Sequence, residues 1–449
     1  MGAGLDATGQ PEQKQFMVTN RQVLAIAVPM TLAYLTTPLL GLVDTAIVGQ
    51  FGDAALLGGL AAGAIVFDVV FNTLNSLRSG TTGLVAQAFG RGDTREEQAT
   101  LLRALILAVT AGLLLILASP AIAAAGAWFI SPEQAVIDAM HAYIAIRMLA
   151  APMTLINFTL LGYVLGRGEG TLGLGLQFLL NGANISLSLW LGLHLGWGIE
   201  GVAWGTVGGE SIAAIVGLAI VSRRMRGDRR PARRDVFDLA SILRLLSLNG
   251  DIMVRSFTLL AAYALFTRQG AQYGTVTLAA NAVLLNFILF AGYFLDGFAT
   301  AAEQLAGRAV GGRNRTAFSR VLLLTGIWGF ALAIAATALT IAFGQDLVHL
   351  LTTSPDVRAL ALTYLPFAAF VAISGVLAFQ MDGVFIGATW SRDMRNMMLL
   401  SLGFYVVALF VLGEAFGNAG LWAAMHIWLI VRGLSLAAIL PHRMRQNFA

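Results

Sequence analysis

About twelve long apolar runs divide the chain, and that pattern limits what it can fold into more than any single motif does. Read between polar or Gly/Pro punctuation, they cover 22–50, 53–78, 98–125, 135–163, 171–193, 198–222, 240–268, 273–300, 318–344, 357–387, 394–413 and 417–440. Most are long enough to cross a bilayer as a helix, and the ten-residue alternation of a membrane barrel is missing. Lipid offers no partner to backbone N–H and C=O groups, so helices that satisfy their own are the remaining solution. Only 12% of residues are charged and 57% are hydrophobic, against roughly 25% charged in soluble chains. The sequence therefore predicts an all-α integral membrane protein. Zero cysteines exclude disulfides, Fe–S clusters and thiolate metal sites. The opening "MGAGLDATGQPEQKQFMVTN" is polar for too long to be a signal peptide, so the first span is expected to insert the chain. "RSGTTGLVAQAFGRGD", which follows the second span, either extends that helix or forms an amphipathic entry to the loop.

Orientation follows from the cations, 27 Arg and one Lys. One side collects Lys14, Arg21, Arg91, Arg95, Arg167, Arg308, Arg313, Arg315, Arg392, Arg395, Arg443 and Arg445, plus the run "SRRMRGDRRPARRD" at 222–235. The other side offers Arg268 and Arg358. Both termini and the 222–235 loop are expected in the cytoplasm, with the loop as a topology anchor on anionic lipid. The net charge of +4 does not suggest nucleic acid. The expected division is a cytoplasmic tail 1–21, a first lobe 22–222, a basic linker 223–239, a second lobe 240–441 and a cytoplasmic tail 442–449.

The chain also repeats itself at an offset near 220 residues. "AYIAIRMLAAPMTLINFTLLGYVLG" (142–166) lies over "TYLPFAAFVAISGVLAFQMDGVFIG" (363–387), pairing Tyr143 with Tyr364, Gly162 with Gly383 and Gly166 with Gly387. "GIEGVAWG" (198–205) parallels "GNAGLWAA" (417–424). Six spans per half give the copies one orientation, which implies two pseudo-symmetric six-helix bundles facing a central cavity. Substrate would bind between them near the midplane. Rocking would expose it to each side in turn, as in a secondary transporter.

Charges inside the spans are then functional candidates, since each costs roughly 2.5–3.5 kcal/mol at the helix centre on insertion scales. The first half offers Asp44, Asp68, Arg147, Glu200 and Glu210; the second offers Asp251, Arg255, Asp296, Glu303, Asp382 and Arg432. Asp251 and Arg255, four apart, can neutralise each other on one helix face. Asp296 and Asp382 each precede a glycine, where a carboxylate can approach a neighbouring helix and act as interhelical glue. Glu303, near the cytoplasmic end, is expected to be solvated. Asp44 has no Arg or Lys within a turn or two. Counting from Arg21 at ~1.5 Å per residue puts it roughly 35 Å along its helix, close to the outer boundary. It is either an interfacial aspartate touching water or a cavity carboxylate that takes a proton or cation from outside and releases it inside. Asn157, Asn181, Asn184 and Thr206 add neutral polar groups to the same half, able to orient a carboxylate or a cationic substrate, or simply to join helices. Met30, Tyr34, Phe67 and Phe71 suit an adaptable apolar pocket or plain packing.

No Walker A sequence and no HExxH occur, and the five histidines (141, 194, 349, 426, 442) lack ligand spacing. Neither ATP-driven export nor enzymatic catalysis is expected, nor any cofactor or metal.

Several stretches in order, "LVDTAIVGQFG", "GTTGLVAQAFGRGD", "NGANISL", "RQGAQYG", "FLDGFATAAEQ" and "DGVFIGAT", resemble the multidrug and toxic compound extrusion (MATE) transporters, most of all their DinF-like branch. The resemblance implies a V-shaped cavity between the lobes. It also implies export of amphipathic, often cationic compounds against inward proton or sodium flow, in a bacterial inner membrane, by a protein expected to be a monomer that contacts only small molecules and lipid. It puts Asp44 at the family's cation-coupling carboxylate, and Asn184 and Thr206 in the polar cluster beside it. Relatives often carry an aspartate where Ser188 stands, which leaves Asp44 without its usual acidic neighbour. The second-lobe acidic set that another branch uses for sodium is not clearly matched. Proton coupling is therefore expected ahead of sodium. Tyr34, Asn157, Asn181, Asn184 and Thr206 are candidate cavity residues; Asp251, Arg255, Asp296 and Asp382 are candidates in the second lobe. Two rivals remain. One is a flippase for lipid-linked or amphipathic anions, which a basic cavity around Arg147 and Arg255 would favour. The other is a channel or receptor-like scaffold.

Overall fold

The computed structural model describes residues 16–130, 133–225 and 230–448. Lys14 and the tail before residue 16, Arg226 and Arg229 of the basic run, and Ala449 lie outside the described residues. Among the described residues there is no strand.

The first lobe comprises α1 (Asn20–Gly49), α2 (Ala54–Arg91), α3 (Thr94–Ile130), α4 (Gln134–Met148 and Ala151–Gly166, bent by 53°), α5 (Gly170–His194) and α6 (Gly198–Met225). The second comprises α7 (Leu239–Gln272), α8 (Thr275–Gly311), α9 (Arg315–Leu351) and α10 (Pro355–Gly387). It ends with α11 (391–416) and α12 (418–448), the two arms of Ser391–Phe448 that meet at non-helical Gly417 (φ 57°, ψ −132°). Among the described residues, ten helices are long and apolar enough to cross a membrane, or eleven with the bent pair, and the break at Gly417 divides the longest in two. The stretch after the second span continues α2 to Arg91, past a break at Asn75.

Helix ends follow local chemistry. Thr19 and Gln22 form a reciprocal capping box at the start of α1, and Asp53 caps α2 by accepting from the Ala55 amide at 2.8 Å. Helices run further than the apolar runs because polar ends such as Thr94–Glu97 still propagate the helix; α3 reaches 37 residues, or ~55 Å. Pro29 and Pro38 sit inside α1, where each removes one backbone donor. Leu113, Leu117, Ile334, Leu339, Val407 and Phe410 stay exposed along the flanks, the outward apolar belt of a membrane protein.

The repeat is visible in the packing. Gly162 lets α4 close on the Arg78 carbonyl, and its mate Gly383 lets α10 close on the Ala299 carbonyl, both partners shifted by 221 residues. A Cβ at Gly166 would meet Val85 and the Thr82 carbonyl; one at Gly387 would meet the Glu303 carbonyl. Left-handed turn residues recur at the same shift, Gly92 (φ 71°) with Arg313 (φ 48°) and Gly168 (φ 78°) with Thr389 (φ 57°).

The lobes meet as an isologous pair does: residue i touches the mate of j, and j touches the mate of i. Gly90 of α2 lies on the Arg308 carbonyl of α8, and Gly311 of α8 lies on the Gln87 carbonyl of α2. Gly83 packs near Thr389, and Gly168 packs near Gln304. Gln87 donates to the Gly387 carbonyl (3.1 Å), Gln304 to that of Gly166 (3.3 Å), and Arg244 to Gln87 and Thr389 (3.2 Å each). These contacts gather at one end. The first and last described residues lie there too: Phe16 accepts from Asn314 through its carbonyl (3.0 Å), and Phe448 packs on Phe318 (5.3 Å between ring centroids). A further inter-lobe hydrogen bond joins Tyr34 of α1 to Thr300 of α8 (3.0 Å).

Candidate functional site

Asp44 is buried, 7% exposed, and its Oδ1 has no hydrogen-bond partner. It is therefore not an interfacial aspartate touching water. One turn on, Ile47 and Val48 pack with Phe67 of α2, Tyr143 and Met148 of α4, and Ala203 of α6 in one apolar cluster, so three helices cover that face of α1. A cation reaches it from another helix rather than from its own: Arg147 of α4 acts on Asp44, and Ser188 of α5 lies near it. A helix shows its own i±4 neighbours in sequence but not those of the helix opposite. Ser188, read as a missing acid, thus supplies a hydroxyl instead.

Arg147 is the hub of this lobe. Its Nη1 donates to the Tyr143 hydroxyl (2.7 Å), and its guanidinium lies 4.5 Å over the Phe67 ring. Asp44, Glu210 and Asp68 all act on it electrostatically. Glu210 of α6 is buried and accepts from Asn157 Nδ2 at 2.6 Å, and the same amide also reaches the Glu210 carbonyl (2.9 Å). Asp68 is exposed midway along α2, and Tyr293 of the other lobe lies between it and Asp296.

The neutral candidates join helices. Asn181 donates to Thr36 (2.5 Å), and Asn184 donates to Thr206 (3.3 Å) while accepting from Ser188 (3.1 Å). Tyr34 bridges the lobes through Thr300.

In the second lobe the expected Asp251–Arg255 pair does not form. Asp251 accepts from Arg395 (2.6 Å) and Ser391 (2.7 Å), which ties α7 to the start of α11. Arg255 pairs instead with Asp382 (2.8 Å), and Arg432 of α12 bonds the same Oδ2. Asp382 is thus an interhelical tie, as its Gly neighbour suggested, but its partners are arginines. Asp296 is exposed, in the field of Arg255, Arg78 and Arg432. Glu303, expected in solvent, is buried at 2% exposure and pairs across the lobes with Arg78 (3.7 Å). Arg147 and Arg255, the cations that a flippase for anions would use, each have carboxylates acting on them. Among the described residues, no group of three or more His, Asp or Glu side chains could hold a metal.

Sequence reasoning counted Glu210 among the intramembrane charges without giving it a role, and treated Arg147 only as a residue to inspect. Tyr143 and Arg147, four apart on one helix, were the available local signal.

The chain matches the MatE family model twice, over residues 29–190 and 252–411, a second independent sign of the repeat. It is 35% identical to "DNA damage-inducible protein F" of Escherichia coli (strain K12), over 96% of this chain and 94% of that one. It is 24% identical to "Probable multidrug resistance protein NorM" of Chromobacterium violaceum, over 96% of each. Among solved structures, it superposes with a TM-score of 0.86 at 17% identity on one described as "Outward-facing conformation of a multidrug resistance MATE family transporter of the MOP superfamily", covering 95% and 96% of the two chains. A second, a "MOP superfamily transporter from Pyrococcus furiosus", gives 0.87 at 17% identity, covering 96% and 97%. These two likenesses establish the fold.

Proposed function

The chain belongs to the MatE family, and from that membership we propose that it is a secondary active transporter that exports amphipathic, cationic compounds by alternating access, driven by protons entering through Asp44. One observation carries the choice of Asp44: it is a buried carboxylate with an unpartnered oxygen, in a lobe where Arg147 stands in the field of three acids. An ionised Asp44 adds uncompensated negative charge inside the lobe and attracts a cationic substrate. A proton arriving from the side opposite the termini neutralises it and loosens that hold. Loss of the proton at the terminal side restores binding. A proton and a cationic substrate thereby exclude one another at one site, which is what obligatory exchange requires. The family name of the relatives supports efflux of drugs as the direction. The protein acts as a monomer in a bacterial inner membrane with both termini in the cytoplasm, supported by the arginines gathered at the terminal end.

Efflux of a cationic dye from proteoliposomes, under an imposed proton gradient and separately a sodium gradient, tests this. The wild type is expected to respond to the proton gradient, and Asp44→Asn to lose that response while remaining folded in detergent. Proton-driven export by Asp44→Asn at the wild-type rate would refute the assignment of Asp44; export driven by sodium alone would replace the ion.

A further inference from the structure

Arg147 is neutralised by no single partner. Among the described residues it forms no ion pair within 4.0 Å. It is held instead by the Tyr143 hydroxyl (2.7 Å) and the face of Phe67 (4.5 Å), contacts that fix a guanidinium's position without consuming its charge. The acids in whose field it lies come from three other helices, Asp44 from α1, Asp68 from α2 and Glu210 from α6, while α3, also packed on this arm of α4, supplies none. Glu210 is buried and anchored by Asn157 through two hydrogen bonds, so it cannot swing out to water. Asp44 is buried with one carboxylate oxygen unpartnered.

We propose that Arg147 is a shared counter-charge, a positioning residue that turns towards Asp44 when Asp44 is ionised and towards Glu210 when Asp44 carries the proton. The proposal rests on Asp44 as the coupling group. Its physical need is plain: a buried guanidinium left with no carboxylate, or a buried carboxylate left with no cation, is strongly destabilised. Two acids flanking one arginine keep a partner for Arg147 in both protonation states, so the proton can come and go without stranding a charge. Glu210 thereby fills the role of second carboxylate that Ser188 vacates, but through the arginine rather than by contact with Asp44. Phe67 and Tyr143 form the pivot.

The pH dependence of dye export in proteoliposomes tests this, with Asp44→Asn run beside it. Removing the cation in Arg147→Gln makes Asp44 easier to protonate, so half-maximal transport moves to higher pH, by about one unit. In Glu210→Gln the arginine has no alternative partner and stays on Asp44, which moves the midpoint to lower pH. Arg147→Lys keeps the charge and restores most of the wild-type profile. In the double variant Arg147→Gln/Glu210→Gln the shift due to Glu210 shrinks to less than half, because its path runs through the arginine. Thermal melting of each purified variant identifies those that fail to fold, and the Lys variant then carries the comparison with Glu210→Gln. Unchanged midpoints in folded Arg147 and Glu210 variants, or additive shifts in the double variant, overturn the shared counter-charge. If Asp44→Asn also transports on a proton gradient, the coupling assignment falls with it; if Asp44→Asn is dead while the midpoints stay put, only the role of Arg147 falls.

Discussion

The two lobes share a scaffold and differ in the charge they enclose. In the first, one arginine, Arg147, faces three acids, Asp44, Asp68 and Glu210, a formal balance of −2 with all groups ionised. In the second, Arg255 and Arg432 grip Asp382, with Asp296 in their field, a balance of zero. The other intra-lobe pairs of the second lobe among the described residues, Asp251 with Arg395 and Asp393 with Arg443, are also neutral. The difference lies in side chains alone, since the 221-residue shift that maps Gly162 on Gly383 carries Asp44 to Leu265, Arg147 to Ala368 and Asp382 back to Leu161. Duplication supplied two identical frames, and only one was given an unbalanced interior. A balanced cluster ties helices together, while a surplus of buried negative charge invites a proton or a cationic guest.

That contrast can be broken from the second-lobe side first. Asp382→Ala leaves two guanidiniums, one of them 4% exposed, facing each other without a carboxylate. The cost of an uncompensated buried charge is about 3–5 kcal/mol, so a large fall in melting temperature is expected, well beyond that of Asp44→Asn. Equal melting temperatures would show that Asp382 is not the structural tie of its lobe.

The shared frame can be tested by its reciprocity. Gly90→Leu and Gly311→Leu each place a side chain against the backbone of the other lobe, on mate positions. Overpacking strain of about 1–3 kcal/mol should open the terminal end to a similar degree in both. Spin labels at Thr94→Cys and Arg315→Cys, in a chain without native cysteine, would report the separation. Opening in one variant only would contradict the pseudo-twofold interface. The smallest effect belongs to the turns. Arg313 holds a left-handed φ of 48° where its mate is Gly92, so Arg313→Gly should raise stability by about 1 kcal/mol. A melting temperature that falls would show that the arginine side chain outweighs the strain.

Most of the frame was legible in the sequence. The apolar runs, the Arg-rich side and the paired glycines at 162/383 and 166/387 can each be read along the chain, and in the structure those glycines lie against backbone carbonyls of neighbouring helices. The sites were legible only in part. Asp44 announced itself as a lone carboxylate in an apolar run, because the cost of burying charge is local. Its partners did not, since Arg147 and Ser188 reach it from α4 and α5. The same limit produced the Asp251–Arg255 error: the i, i+4 spacing was real, yet Arg395 from α11 and Asp382 from α10 offered each residue a closer partner. Glu303 was misplaced because its depth along α8 was judged without the first lobe, whose Arg78 covers it.

Proton release on substrate binding tests the central claim most directly. In weakly buffered detergent solution, adding a cationic dye to the wild type should release about one proton per bound dye, by the reciprocity of two ligands competing for one carboxylate. Asp44→Asn should release none, while Asp382→Asn, though less stable, should still release it. Undiminished release from Asp44→Asn, or its loss in folded Asp382→Asn, would contradict the first lobe as the seat of the surplus charge.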